Sequence, residues 1–193
     1  NIAHGCSSVV ADRLGLGYAD YVITEAGFGA DLGCEKFMHI KARFNGLEPH
    51  AAVMVVSVRA LKSHGGVPFN HLETPNPDAV RRGVPLLEHL IGVIRSFGLP
   101  VVVAINRFHS DTEEEIAIIA KLSEDAGASA SAESRCFAEG GQGSIELAEA
   151  VIDATRGEKP EISYLYPENA STEDKVLALA KKVYGAAGVD WSQ

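Results

Sequence analysis

The sequence predicts an α/β chain built on a mostly parallel sheet with flanking helices, and three observations predict it. Short β-branched runs alternate with longer helical patterns along the whole chain. The strongest runs are apolar without interruption, as strands covered on both faces are. Glycine-rich or aromatic loops follow the runs, at the strand ends where such sheets bind ligands. Of the 193 residues 46% are hydrophobic, enough for a sizeable buried core and too many for a disordered polymer.

The first helix is expected at 8–16, followed by a strand at 21–24 and a helix at 32–41. Strands at 53–58 and 100–105 bracket a helix at 79–97. A helix at 112–125 precedes a weaker strand at 128–134, whose Ala and Ser pack little on a sheet. A helix at 144–155, a strand at 162–165 and a helix at 172–184 complete the alternation. Thr112 and Glu115 have capping-box spacing, and Gly127 stands where the C-cap should follow. Glu173 and Asp174 put acids in the first turn of the last helix, which the macrodipole favours. Strand–helix–strand alternation implies right-handed crossovers.

Composition excludes several function classes. A net charge of −9 and a pI near 5.2 do not suit a surface that tracks nucleic-acid phosphates. Cys6, Cys34 and Cys136 are odd in number and lack C-x-x-C spacing, so they read as free thiols of a reducing, cytoplasmic compartment. No apolar run approaches the roughly 18 residues of a membrane span, and the longest, 53–58 and 99–105, have strand length. No basic-then-apolar targeting segment opens the chain. None of the seven histidines pairs with another at i, i+4 on a helix, so no metal ligand is assigned. The chain starts at Asn1 without methionine and stops directly after a helical pattern, so both ends are expected to be cut ends of a longer polypeptide.

The loops carry the chemistry. After the strand at 21–24 comes 24–33 (TEAGFGADLG), in which Gly27, Gly29 and Gly33 permit close backbone approach ahead of a helix N-terminus. Glu25 and Asp31 flank that loop, as helix caps or as groups that orient a magnesium ion, and Phe28 has no regular face to pack on. After the next strand, 58–66 (VRALKSHGG) offers Arg59, Lys62 and His64, either as a solvated basic loop or as anion-stabilising groups. The third loop opens with Asn106 and brings Phe108, a stacking platform for a flat heterocycle, and Asp111. An apolar strand ending in Asn, with Asp five residues on, resembles the base-reading end of P-loop NTPase sheets, although Asp111 also fits as a helix N-cap. The fourth loop, 135–143, places Phe137 before Gly140, Gly141 and Gly143. Together these loops describe a site for flat, anionic ligands.

The same segments resemble the formate–tetrahydrofolate ligases. The resemblance rests on 1–6 (NIAHGC), 24–33 with Glu35-Lys36-Phe37, 58–66, 101–108 (VVVAINRF) with Asp111-Thr112, 140–143 (GGQG) and 184–189 (YGAAGV). It implies an incomplete P-loop NTPase-like fold: 1–110 as the C-terminal part of a nucleotide-binding domain, 111–193 as a second α/β domain truncated at its C-terminal end. It implies a reaction in which ATP phosphorylates formate and the N10 amine of tetrahydrofolate attacks the formyl phosphate. It also implies Mg2+ with the ATP, an activating monovalent cation and a homotetrameric full-length enzyme. Phe108 resembles one wall of an aromatic clamp around the pterin, whose other wall is a Trp in the family and is Phe137 here. Gly27, Phe28, Gly29 and Asp31 resemble the loop lining the nucleotide and folate side, joined by Asn106, Gly140 and Gly141. Arg59 and Lys62 are expected to stabilise anionic charge, and Glu139 replaces a family Lys.

The family's phosphate loop precedes this region, so the chain expressed alone is expected to be inactive and prone to aggregate at an unpaired sheet edge. Two other readings stay open. A regulatory P-loop GTPase or metallochaperone module needs Asn-Lys-x-Asp where this chain reads Asn106-Arg107-Phe108-His109. A non-catalytic nucleotide- or folate-binding module of the same fold needs only the loops.

Overall fold

The computed structural model describes residues 6–191, so most of the expected 1–6 motif lies outside the described residues. In chain order it has α1 (Val9–Tyr18), π-helical turns at Gly29–Cys34 and Phe37–Ala42, and α2 (Arg43–Asn45). Then come β1 (Ala52–Val56), α3 (Val58–His64), a 3-10 turn at Phe69–His71, α4 (Pro77–Arg95) and β2 (Val101–Asn106). The remainder is α5 (Glu113–Asp125), β3 (Ala130–Ser134), α6 (Cys136–Glu139), a 3-10 turn at Gly140–Ser144, α7 (Ile145–Thr155) and α8 (Thr172–Lys182).

Two compact units share the chain: one joins the residues up to Pro49 with those from Ile162, and the other is His50–Glu161. The expected division at residue 110 falls inside the second unit. Its sheet runs continuously across that point, because β2 pairs in parallel with β1 on one side and β3 on the other.

In the second unit β2 is the centre of the sheet, and Val101 to Ile105 are all buried. That is why this run is apolar throughout, whereas edge strand β1 leaves Val53 and Val55 exposed. α3 packs on α4, α4 on α5, and α5 and α7 on β2 and β3. The predicted capping box of α5 is present, with Thr112 Oγ1 accepting from Glu115 N and the Glu115 carboxylate accepting from Thr112 N. Gly127 N donates to Glu124 O and Ala128 N to Ser123 O, the paired bonds of a Schellman end. The segment 58–64, expected as a loop, is helix α3 instead. Ser57 caps it by accepting from Ala60 N, and Val58 and Leu61 bury one face at i, i+3.

In the first unit Met38, Ala42 and Val183 are fully or almost fully buried, and Asp12 pairs with Lys41 beneath the surface. Two expected strands are absent here. Residues 21–24 run without a ladder partner among the described residues, with Tyr21 and Ile23 exposed. Around 162–165 the backbone bonds to side chains rather than to a strand: Leu165 N donates to His39 Nε2, and Lys182 donates to Leu165 O. Because Nε2 accepts that bond, Nδ1 of His39 is the donor to Glu35, at 2.9 Å.

Candidate functional site

At the carboxyl ends of β1 and β2, the short α3 carries Arg59 and Lys62 three residues apart, and the turn after β2 carries Phe108 and Asp111. The two cations behave differently. Lys62 is 0% exposed; its Nζ lies 2.8 Å from Glu115 Oε1 and donates to Leu72 O and Thr74 O at 3.0 Å each. All three ammonium protons are engaged inside the protein, which corrects the expectation that Lys62 meets a substrate anion. Burial by itself would push the Glu115 carboxyl up, but bonds from Asn76 N, Lys62 and Thr112 hold it below the usual carboxylate range.

Arg59 remains at the surface edge. Its guanidinium lies 4.3 Å above the Phe108 ring centroid, and Nη2 donates to Glu73 at 2.9 Å and to Ser110 at 3.4 Å. Asp111 Oδ2 accepts from Phe108 N at 2.8 Å and so fixes the turn that presents the ring. Asp111 Oδ1 and Arg59 Nε are buried without hydrogen-bond partners in the structure. Phe108 and Asn106 also line a cleft of ≈ 350 Å³ floored by Val56, Leu87 and Leu90, with Ser57 and His64 among its few polar groups. An apolar cleft with a few convergent polar groups at strand carboxyl ends is the usual setting for a small ligand.

Within the second unit, Phe137, Gly140 and Gly141 do not join this cluster. Phe137 stands 99% exposed on α6, and among the described residues no ring contact links it to Phe108. Gly140 and Gly141 lie in the exposed turn that follows. Gly27, Phe28, Gly29 and Asp31 belong to the first unit, where Phe28 is 73% exposed. That loop folds back on itself: Gly33 N donates to Phe28 O, and a Cβ at Gly33 would sit 2.4 Å from Ala26 O. Gly33→Ala is therefore expected to destabilise the first unit by about 2–3 kcal/mol, read as a lower urea midpoint.

The family model described as formate–tetrahydrofolate ligase matches residues 1–193, the segments of these loops among them. The chain belongs to the formate–tetrahydrofolate ligase family. Enzymes of that name from Methylorubrum extorquens (strain PA1) and Desulfosudis oleivorans are each 48% identical to it, over 189 and 200 residues. The one from Symbiobacterium thermophilum is 50% identical over 195 residues. These alignments cover 98–100% of this chain and 34% of each relative, so the chain spans about a third of the length of the ligases it matches.

Sequence reasoning missed two members of this cluster. Glu115 was legible as a cap but not as the partner of Lys62, and Glu73 carries no signal beyond being an acid in a loop. Among the described residues no group of three His, Cys, Asp or Glu side chains is placed to hold a metal ion, and no helix is long and apolar enough to cross a membrane.

Burial pushes the Asp111 carboxyl up, and the bond from Phe108 N and the nearby Lys62 charge only partly oppose it. A carboxyl whose pKa is raised by folding contributes stability below its unfolded value and loses it as pH rises through the folded value. Asp111→Asn is accordingly expected to be neutral or stabilising near pH 7 relative to wild type. The advantage should shrink on acidification, followed by urea unfolding from pH 3 to 8.

Proposed function

We propose that this chain supplies folate-side and nucleotide-side walls of an ATP-dependent ligase joining formate to tetrahydrofolate. The observation that carries the reading is the family match along the entire chain. In the proposed reaction a formate oxygen attacks the γ-phosphorus of ATP and ADP leaves. The N10 amine then attacks the formyl carbon and phosphate leaves, giving 10-formyltetrahydrofolate as the nitrogen loses its proton. Phe108 stacks the pterin, Asn106 offers an amide to its edge, and Arg59 places positive charge beside the cleft. Phe137, Gly140 and Gly141 contact the folate from the β3 side, while Gly27, Phe28, Gly29 and Asp31 serve the nucleotide side. Lys62 acts as an anchor within the protein.

Mg2+ arrives with the ATP phosphates, a monovalent cation activates, and the full-length protein works as a cytoplasmic homotetramer. The test is tetrahydrofolate-dependent ADP release, with and without formate, by the full-length polypeptide and its Phe108→Ala variant. Formate-dependent release whose folate KM rises about tenfold in the variant, with kcat less affected, supports the reading. Binding of folate or nucleotide without formate-dependent turnover replaces it with the non-catalytic module.

A further inference from the structure

Glu73 is an exposed acid in the loop between α3 and α4, yet its surroundings are unusually fixed. The carbonyls on either side of it, Leu72 O and Thr74 O, both accept from the fully buried Lys62. Two residues further on, Asn76 N donates to the buried Glu115 at 2.8 Å, so the same ion pair holds both ends of the segment. From this held backbone the Glu73 carboxylate reaches Arg59 Nη2 at 2.9 Å, and the Arg59 guanidinium carbon lies over the Phe108 ring, 4.3 Å from its centroid. A half-exposed ion pair of this kind contributes little to folding. Its geometric effect is larger, because without it only the long 3.4 Å bond from Nη2 to Ser110 would hold the guanidinium at the ring.

We propose that Glu73 is a positioning residue for the folate-side platform: it keeps Arg59 on one face of Phe108, leaving the other for a flat heterocycle. Two consequences make this useful for binding. A ring already packed on one face loses less freedom when a ligand stacks on the other. A cation over one face also draws π density from the ring, which suits stacking of an electron-rich aminopyrimidinone on the opposite face. The identity of that heterocycle rests on the ligase reading above; the tether itself does not.

The test uses the full-length polypeptide with Glu73→Gln, Glu73→Asp and Arg59→Met, alone and combined. Glu73→Gln is expected to raise the tetrahydrofolate KM about two- to fivefold while kcat and Tm stay unchanged. Glu73→Asp should restore part of the loss. In the Arg59→Met background the Glu73→Gln effect should vanish, because Glu73 acts through Arg59. Phenylglyoxal labelling of Arg59, followed by mass spectrometry, should be faster in Glu73→Gln than in wild type and reads the tether without folate. An unchanged KM in Glu73→Gln, or an equal penalty in the Arg59→Met background, overturns the proposal. A wild-type protein with no response to tetrahydrofolate sinks the ligase reading instead, and the labelling rate then decides the tether: faster keeps it, unchanged removes it.

Discussion

Lys62→Met is expected to destabilise the second unit by about 3–5 kcal/mol, the range for removing one partner of a buried ion pair. Methionine nearly matches the length of lysine, so the loss is not one of packing. It is the removal of a charge and three donors at a point that is 0% exposed. Glu115 is left as a buried carboxylate without its counter-ion, and Leu72 O and Thr74 O lose their donor. Glu115 keeps its bonds from Asn76 N, Thr112 N and Thr112 Oγ1, which places the effect toward the lower half of that range. The measurement is urea unfolding of the variant beside wild type. An unchanged midpoint would show that Lys62 is free to serve a substrate anion, as its sequence position suggests.

The pH dependence gives the same ion pair a second test. A carboxyl held below its unfolded pKa contributes stability above that value, about 4.3 for glutamate, and loses it as pH falls through the lower folded value. Wild type should therefore lose stability on the acid side of about pH 4, and Lys62→Met should lose less over the same interval. Asp111, shifted the other way, opposes this trend, and losing the nearby Lys62 charge pushes it further up, which reduces the acid-side loss of Lys62→Met still more.

What the sequence made legible follows from how each segment satisfies its backbone. β2 was readable because a strand buried on both faces admits only apolar residues, and 101–105 shows that directly. α5 was readable at both ends because Thr112, Glu115 and Gly127 act locally. The 21–24 segment has the composition of a strand, but composition does not supply a neighbour, and none pairs with it among the described residues. The 162–165 run fails for a related reason: its backbone is bonded by His39 and Lys182, residues 126 and 17 positions away. At the site, Phe108 and Arg59 were legible as a ring and a charge near one sheet edge. Their mutual contact was not, since it joins residues 49 positions apart in the chain, and the inward turn of Lys62 depends on a carboxylate 53 positions along at Glu115.

Gly83→Ala and Gly92→Ala, two identical changes on α4, are expected to act in opposite directions. Gly83 is buried where α4 crosses α3, and a Cβ there would sit 2.1 Å from Leu61 O and 2.8 Å from Leu61 C. Backbone atoms cannot rotate away, so the helices must separate, and Leu61 and Lys62 lie on the stretch of α3 that would move. The cost should be about 3 kcal/mol or more, at the upper end of overpacking. Disturbing Lys62 should also raise the folate KM in the full-length protein. Gly92 is exposed, and a Cβ there meets nothing within 4 Å. At that position alanine only removes unfolded-state freedom and improves helix propensity, so stability should rise by roughly 0.5–1 kcal/mol. Urea midpoints that fall for Gly83→Ala and rise for Gly92→Ala would establish the α3–α4 crossing as the contact that fixes the site's cations. Equal shifts in the two variants would mean that propensity alone governs α4 and that the close crossing at Leu61 is absent.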